Sequence, residues 1–265
     1  MSLLDSILRL ITVTVLAIVL SISAMLTVRL TGVDIKDIKQ RTHPGVLAIA
    51  MLFNLLFILA IALVLKYWDH QSMGVLGFSL GTRRLLFVIF VLFFSLISAL
   101  VYVRILHTWN IVHIHYRSVK TLRSIVWSST LLGILVLFIA ALQEETLFRG
   151  YFSFVLLPYG FWYAIIISSL VFTMWHFLTN NAGFFQTADW LMGGIMLFYI
   201  YWISGSIWIA TLTHLSRNIT NVLVFNISGS NALLQFEKPI KPSYKSLYTI
   251  LFSTLIMLSG YVVFG

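Results

Sequence analysis

The stretch QEETLFRG, residues 143–150, places two carboxylates and a guanidinium at the end of a long apolar run. The residues from Ser124 to Gln143 carry no charge, and a second apolar run continues after Arg149 to Leu157. A run of this length is long enough to cross a bilayer as a helix. The stretch therefore predicts a membrane-spanning helix with ionisable groups inside it.

The composition of the whole chain is typical of a membrane protein. Of its 265 residues, 60% are hydrophobic and 9% are charged, whereas a soluble domain carries about 25% charged residues. Predominantly apolar stretches of bilayer length recur along the sequence. They predict an all-α fold, a polytopic membrane helix bundle of about eight transmembrane helices, at residues 8–29, 44–66, 84–106, 124–157, 160–179, 188–204, 206–226 and 245–264.

The chain is expected to form a single integral membrane domain over residues 1–265, because no repeat or interdomain linker interrupts it. The first span has a cleavable-looking SISA at residues 21–24. Its N-terminal region is weakly basic and seven more spans follow, so a retained helix is favoured over a signal peptide. The expected location is the cell membrane, as a multi-pass protein.

Cysteine and charge exclude several functions. The chain has no cysteine, which excludes disulfides, thiol catalysis and thiolate metal sites. The formal net charge is +9, but most basic residues lie in predicted loops, where they contact anionic headgroups. The lipid bilayer is therefore the expected partner of these charges, and nucleic-acid binding is not predicted.

The same basic residues predict the orientation of the bundle. Eleven of them lie on one side and four on the other, so the richer side should be cytoplasmic and both termini should face outward. The cytoplasmic set is Arg29, Lys36, Lys39, Arg41, Arg104, Arg117, Lys120, Arg123, Lys238, Lys241 and Lys245, and the opposite set is Arg9, Lys66, Arg83 and Arg84.

A few ionisable residues lie deep within predicted spans, where each costs roughly 2.5–3.5 kcal/mol on insertion scales. They occur on the fourth, fifth and seventh spans, together with two asparagines. The set is Glu144, Glu145, Arg149, His176, His214, Arg217, Asn218 and Asn221. This clustering predicts a functional site inside the bundle.

Helix geometry brings parts of this set to one depth. Glu144 lies 16 residues before Gly160 and His176 lies 16 residues after it. With a turn at Pro158–Gly160, both should lie about 24 Å from the turn and face each other. His214 and Asn218 are four residues apart and share a helix face.

The two glutamates differ in helical phase. Glu145 and Arg149 are four residues apart and can form an ion pair. Glu144 points about 100° away from Glu145 and has no basic neighbour on its own face. Glu145 is therefore expected to be structural and Glu144 reactive, as the base that a hydrolase needs. His176 would help Glu144 to hold a water molecule, while His214 and Asn218 would donate to a developing oxyanion.

Each candidate also has a structural interpretation. For Glu144 this is an interhelical hydrogen bond, for His176 a packed core histidine, and for His214 with Asn218 a polar contact that holds helices together. Arg217 is interpreted as a snorkelling or paired residue, with contact to a substrate carboxylate as the alternative.

Metal and cofactor chemistry is not predicted. His113 and His115 lack a third ligand beside them, which favours an interfacial loop over a metal pair. The chain also lacks the H-E-x-x-H pattern of zinc metalloproteases. The predicted scheme uses no metal and no cofactor.

The polar cluster resembles the three motifs of the CAAX-protease and bacteriocin-processing family (CPBP, or Abi) of intramembrane glutamic endopeptidases. EETLFRG at 144–150 fits its E-E-x-x-x-R motif, and FTMWH at 172–176 fits F-x-x-x-H. HLSRN at 214–218 fits the third motif, a histidine followed four residues later by asparagine. The three occur in order within residues 124–226, which are expected to form the catalytic core, with residues 1–123 as additional N-terminal spans.

The resemblance implies an intramembrane, metal-independent glutamic endopeptidase and a role for each motif residue. The implied catalytic residues are Glu144 and His176, which activate water, and His214 and Asn218, which form the oxyanion site, with Glu145 and Arg149 as support. Substrates in the family are prenylated C-termini or bacteriocin and pheromone precursors, and some members act in self-immunity. The expected partner is thus a peptide or protein presented near the cytoplasmic face.

Two other functions stay open from the residues alone. One is a non-catalytic membrane scaffold of the same fold that binds a partner protein, which loss of a motif residue would favour. The other is a proton-coupled transporter that uses Glu144, His176 and His214 as a relay. Inverted repeats would favour a transporter, and the sequence has none that we detect.

Overall fold

In the computed structural model, which describes residues 2–33, 43–116, 127–178, 181–225 and 233–265, the chain is a helix bundle. Its helices are α1 (Leu3–Leu30), α2 (Pro44–Tyr67), α3 (Thr82–Thr108), α4 (Trp127–Glu145), α5 (Phe152–Leu156), α6 (Phe161–His176), α7 (Phe184–Ser204), α8 (Ile207–Leu223) and α9 (Pro242–Phe264). Single 3-10 turns lie at Met73–Leu76 and Leu157–Tyr159, and the strands are β1 (Ile114–Tyr116) and β2 (Leu234–Phe236). The prediction of an all-α polytopic bundle is confirmed.

Five helical segments in the described ranges are long and apolar enough to cross a membrane, so the chain is a multi-pass membrane protein. They are Leu3–Leu30, Pro44–Tyr67, Thr82–Thr108, Leu131–Tyr159 and Pro242–Phe264, and α6 is a shorter apolar helix. The predicted sixth and seventh spans correspond to α7 and α8, which are not among these five segments. A total of eight spans stays a prediction.

Local sequence signals explain where several helices begin and end. Ser2 caps α1 by accepting the backbone N–H of Asp5, and prolines 44 and 242 open α2 and α9, where a missing N–H costs nothing. Gly205 ends α7 in the left-handed conformation, with φ 59°, which favours glycine. The α7–α8 connection is thereby kept to two residues.

The helices pack in a definite order around the motif-bearing segments. α2 packs on α1 and on α4, α8 packs on α3 and α4, and α7 lies against α6 and α9. One apolar cluster surrounds the start of α5 and includes Phe148, Tyr151 and Phe152. A second joins α3, α7 and α9 through residues such as Phe87 and Phe252. Two aromatic residues of the motif segments, Phe148 and Phe172, belong to the first cluster.

The first motif lies at a change of helix type. Thr146–Tyr151 forms a π turn that joins α4 to α5, and the N–H of Phe152 donates to the carbonyl of Leu147. Gly150 permits this turn to approach its neighbours, since an added Cβ would lie 3.1 Å from Leu76 and 3.3 Å from Ile207. Because π turns inside helices are frequent at functional sites, this position draws attention to Glu145 and Arg149.

The paired strands join two predicted loops. β1 and β2 are antiparallel, with His115 opposite Gln235, and His115 Nε2 lies 3.0 Å from Glu237 Oε1. The stretch expected to be an interfacial loop around His113 and His115 thus ends in a strand. Six of the predicted cytoplasmic residues, Lys36, Lys39, Arg41, Arg117, Lys120 and Arg123, lie outside the described residues, and the orientation stays a prediction.

Candidate active site

Glu145 is the centre of a buried polar chain. Its side chain is fully buried, and its two oxygens contact different partners. Oε1 accepts a 2.8 Å hydrogen bond from His214 Nδ1, while Oε2 forms a 3.1 Å ion pair with Arg149 Nε. A single carboxylate on α4 therefore links the π turn to α8.

Arg149 is held from three directions. The side chain is fully buried, and besides Glu145 its Nη2 donates to the carbonyl of Gly194 at 3.0 Å. Its guanidinium carbon lies 4.2 Å from the ring centre of Phe172, an arrangement in which the aromatic face attracts the cation. The expected Glu145–Arg149 pairing is found, and it extends to α6 and α7.

His214 lies between the two glutamates. Because Nδ1 donates to Glu145, only Nε2 remains to face Glu144 or a substrate. Nε2 lies 3.9 Å from Glu144 Oε2, which is too long for a direct hydrogen bond. Glu144 Oε2 is buried and has no hydrogen-bond partner among the described residues. Glu145 thus orients the His214 ring, and the ring points its second nitrogen toward Glu144.

His176 ends α6 with a defined ring orientation. Its Nδ1 donates to the carbonyl of Phe172 at 2.9 Å, which assigns the proton to that nitrogen. The ring lies 4.6 Å from that of Phe172 and 5.0 Å from that of Trp190. The aromatic neighbours therefore hold the imidazole in place.

A cavity of about 190 Å³ opens beside these residues. Its wall includes His176, His214 and Asn218, so it brings together three of the four predicted catalytic residues. Glu144 is not among the lining residues, and its carboxylate faces Nε2 of His214, which is one of them.

The structure adds His214 to the predicted surroundings of Glu144. The His214 imidazole lies within 4 Å of the Glu144 carboxylate. His176 lines the cavity, as His214 does. Joint activation of one water molecule by Glu144 and His176 stays a prediction.

Residues 126–220 match the family model described as type II CAAX prenyl endopeptidase Rce1-like. We refer to residues 126–220 as the Rce1-like segment. It confirms the resemblance that the three motifs predicted, and at the level of the family it supports a CAAX-type intramembrane protease. Comparison with the curated proteins and with the solved structures finds no significant match.

The Rce1-like segment contains all six predicted site residues and runs from α4 to α8. In the part of the chain that the structure describes, no three His, Asp or Glu side chains come together as a metal site would require. Glycine 194 also lies in this segment, and a Cβ there would lie 3.2 Å from Ser169 Cβ and 3.3 Å from Phe172. Helix α7 can therefore approach α6 closely enough for Arg149 to bind the Gly194 carbonyl.

Two charged residues of the cavity wall were missed from the sequence. Asp189, in the Rce1-like segment, and Lys245, beyond it, both line the cavity with Arg217. Each lies near the end of a predicted span, where a charge is expected to contact headgroups. A lone acidic residue beside the apolar run from Trp190 onward was the available signal for Asp189.

Proposed function

We propose that the protein is an intramembrane, metal-independent glutamic endopeptidase in which Glu144 is the general base. The observation that carries this proposal is the buried chain from Arg149 through Glu145 to His214, which presents His214 Nε2 to Glu144 at 3.9 Å beside a cavity. Such a chain fixes a reactive ring in one orientation before the substrate arrives, as catalytic electrostatics require.

In the proposed reaction, Glu144 takes a proton from a water molecule as its oxygen attacks the peptide carbonyl carbon. The carbonyl π electrons move to the oxygen, which becomes an oxyanion and accepts hydrogen bonds from Asn218 and from His214. As an oxyanion donor, His214 must carry a proton on Nε2. The oxyanion electrons then re-form the C=O bond as the C–N bond breaks, and the proton held by Glu144 passes to the leaving amine, which leaves a carboxylic acid on the other product. His176 positions the water from the cavity wall.

The proposed organisation follows from the same residues. Residues 124–226 would form the catalytic core, and residues 1–123 would add spans to a single membrane domain over 1–265. The Rce1-like match to 126–220 supports this core. Two of the additional helices, α1 and α2, are mostly exposed. Only 17% of the most apolar 18-residue stretch of α1 and 11% of that of α2 is buried, which suits a lipid-facing position.

The proposed substrate is a peptide or protein presented near the cytoplasmic face. The match to the Rce1-like family favours a prenylated C-terminus over a bacteriocin or pheromone precursor. The second candidate function is a scaffold that binds such a segment without cleaving it. Intact motif residues at all six positions favour catalysis over the scaffold.

Cleavage by the purified protein in liposomes tests this proposal. The substrates are farnesylated peptides and matched unlipidated peptides, and the proteins are wild type, Glu144→Gln and His176→Ala. Glu237→Gln, on the exposed strand contact, is the control variant. Cleavage that survives a strong chelator and disappears in both site variants supports the mechanism.

Other results would contradict specific parts of the proposal. Loss of cleavage with chelator would overturn the metal-independent mechanism. Undiminished cleavage by Glu144→Gln would remove that residue from the role of base. Saturable peptide binding with no cleavage by wild type would establish the scaffold instead.

A further inference from the structure

A second buried charge cluster lies on the cavity wall, apart from the Glu145 chain. Arg217 Nη2 donates to Thr249 Oγ1 on α9 at 2.6 Å. Its guanidinium carbon lies 5.9 Å from the ring centre of Tyr248 and 5.6 Å from that of Phe252. These contacts hold the guanidinium beside the cavity that His214 also lines.

Lys245 and Asp189 complete this cluster. Asp189, on α7, lies against Ser246 and Thr249 and within electrostatic range of Arg217 and Lys245. All three charged residues line the cavity. Two cations therefore face one carboxylate, and this part of the wall carries a formal excess of one positive charge.

Hydrogen bonding within the cluster is incomplete. Among the described residues, Arg217 Nη1 and Asp189 Oδ1 are both buried without a hydrogen-bond partner. A buried charged group without a partner is costly, so each such atom of a native site calls for a partner. An incoming carboxylate would satisfy the guanidinium nitrogen and offset the excess charge.

The cluster lies close to the proposed chemistry. Arg217 follows His214 by three residues on α8, which places their Cβ atoms about 5–6 Å apart on neighbouring parts of the helix surface. An extended chain advances about 3.3–3.6 Å per residue. A group bound by Arg217 therefore lies within a few residues of a peptide bond held at His214.

We infer that Arg217 and Lys245 form a subsite for the terminal carboxylate of the substrate peptide, with Asp189 and Thr249 positioning the two cations. The inference rests on the proposed peptidase function and adds the group that is recognised. Arginine suits this task because its planar fork binds carboxylates through two parallel hydrogen bonds. The excess charge also distinguishes a free carboxylate from an internal peptide bond.

Binding of two peptides that differ only at their ends tests the subsite. One N-terminally fluorescein-labelled farnesylated peptide ends in a free carboxylate and the other ends in a carboxamide. Binding is measured by fluorescence anisotropy in the Glu144→Gln background, so that bound peptide is not consumed. We expect the free acid to bind about 10- to 100-fold more tightly, as for a charge-assisted hydrogen bond in a buried site.

The matched variants are Arg217→Gln, Arg217→Lys and Lys245→Gln in the same background. Arg217→Gln should remove most of the preference for the free acid while the carboxamide affinity stays within about twofold, which also reports that the variant is folded. Arg217→Lys should retain part of the preference, because it keeps the charge without the fork. Lys245→Gln, with Arg217 unchanged, should also reduce the preference for the free acid.

The outcomes separate this inference from the proposed function. Equal affinities for the two peptides, with cleavage by wild type intact, would overturn the subsite and leave the peptidase standing. A preference that persists in both Arg217→Gln and Lys245→Gln would also overturn it. The subsite would be overturned as well if these variants left the affinities of both peptides unchanged and weakened only the binding of phosphatidic acid. That result would assign the two cations to a lipid phosphate. The wild type could instead bind the free acid more tightly than the carboxamide, lose this preference in Arg217→Gln, and cleave neither peptide. That result would retain the subsite and remove the peptidase.

Discussion

The Nδ1–H of His214 donates a 2.8 Å hydrogen bond to the carboxylate of Glu145, and both side chains are buried. Because Glu145 also pairs with Arg149, one carboxylate holds a cation on one side and a candidate catalytic ring on the other. Stability and ring orientation are thereby coupled at a single residue.

Glu145→Gln should destabilise the protein strongly. The substitution removes the charge that compensates buried Arg149, and breaking one partner of a buried pair costs about 3–5 kcal/mol. Chemical unfolding in detergent micelles measures the change in the free energy of unfolding. The matched control is Glu237→Gln, whose pair with His115 is half exposed and should cost at most about 1 kcal/mol. Equal losses of unfolding free energy in Glu145→Gln and Glu237→Gln would contradict a stabilising role for the buried contacts of Glu145.

Removing both charges should repair most of this loss. In Glu145→Gln/Arg149→Met no uncompensated cation remains, and methionine fills much of the apolar volume beside Phe172. Replacing a buried ion pair by apolar groups is often neutral or stabilising. We expect the double variant to be more stable than Glu145→Gln alone and to be inactive, since the ring of His214 loses its ionised partner. A loss of unfolding free energy in the double variant equal to the sum of the losses in Glu145→Gln and Arg149→Met would refute this coupling.

Glu144→Gln should separate chemistry from folding. Its carboxylate has no contact shorter than the 3.9 Å approach to His214 among the ion pairs of the described residues, so the free energy of unfolding should change by less than about 1 kcal/mol. Loss of a general base typically lowers the rate by about 10²–10⁴-fold. Single-turnover cleavage and unfolding of the same preparation measure both quantities. Destabilisation comparable to that of Glu145→Gln would make Glu144 structural.

The pairs within one helix could be predicted from the sequence, and the contacts between helices could not. Glu145 and Arg149 are four residues apart, so helical periodicity alone places them together. The bond from His214 to Glu145 joins residues 69 positions apart and depends on how α8 packs against α4. Glu144 and His176 are predicted to lie at one depth because each is 16 residues from Gly160, and this spacing carries no information on helix rotation. The 3.9 Å approach of Glu144 to Nε2 of His214 depends on this rotation.

Span boundaries limited the prediction in a second way. Asp189 and Lys245 lie near the ends of α7 and α9, where charge is normally solvated at a membrane surface. The folded chain turns both toward a cavity with Arg217. Only the packing of these helix ends around the cavity, which is a tertiary property, distinguishes a cavity residue from a headgroup contact.

Asn218→Ala should lower the rate with little effect on substrate binding. An oxyanion-hole donor acts mainly in the transition state, and its removal costs about 10²–10³-fold in kcat. Asn221→Ala is the matched control, because Asn221 follows on the same helix and lines the same cavity. We expect kcat to fall in Asn218→Ala with KM almost unchanged, and both constants to stay near wild type in Asn221→Ala. The same loss in both variants would indicate a general effect on the cavity.

Gly194→Ala tests whether the close approach of α7 to α6 supports the Arg149 chain. The added Cβ would lie 3.2 Å from Ser169 Cβ and 3.3 Å from Phe172, tighter than ordinary packing, and overpacking of this kind costs about 1–3 kcal/mol. The neighbouring Gly193 has no atom within 4 Å of its added Cβ. Gly193→Ala should therefore be neutral or stabilising by up to about 1 kcal/mol, through helix propensity.

The two glycine variants also predict different effects on catalysis. A displaced Gly194 carbonyl would lengthen its 3.0 Å hydrogen bond with Arg149 and, through Glu145, disturb the ring of His214. Unfolding in detergent and single-turnover cleavage, measured on both variants, should thus show loss of stability and of rate together in Gly194→Ala only. If Gly194→Ala lost stability but cleaved at the wild-type rate, Arg149 would serve folding alone, and the orientation of His214 would depend on Glu145 without help from α7.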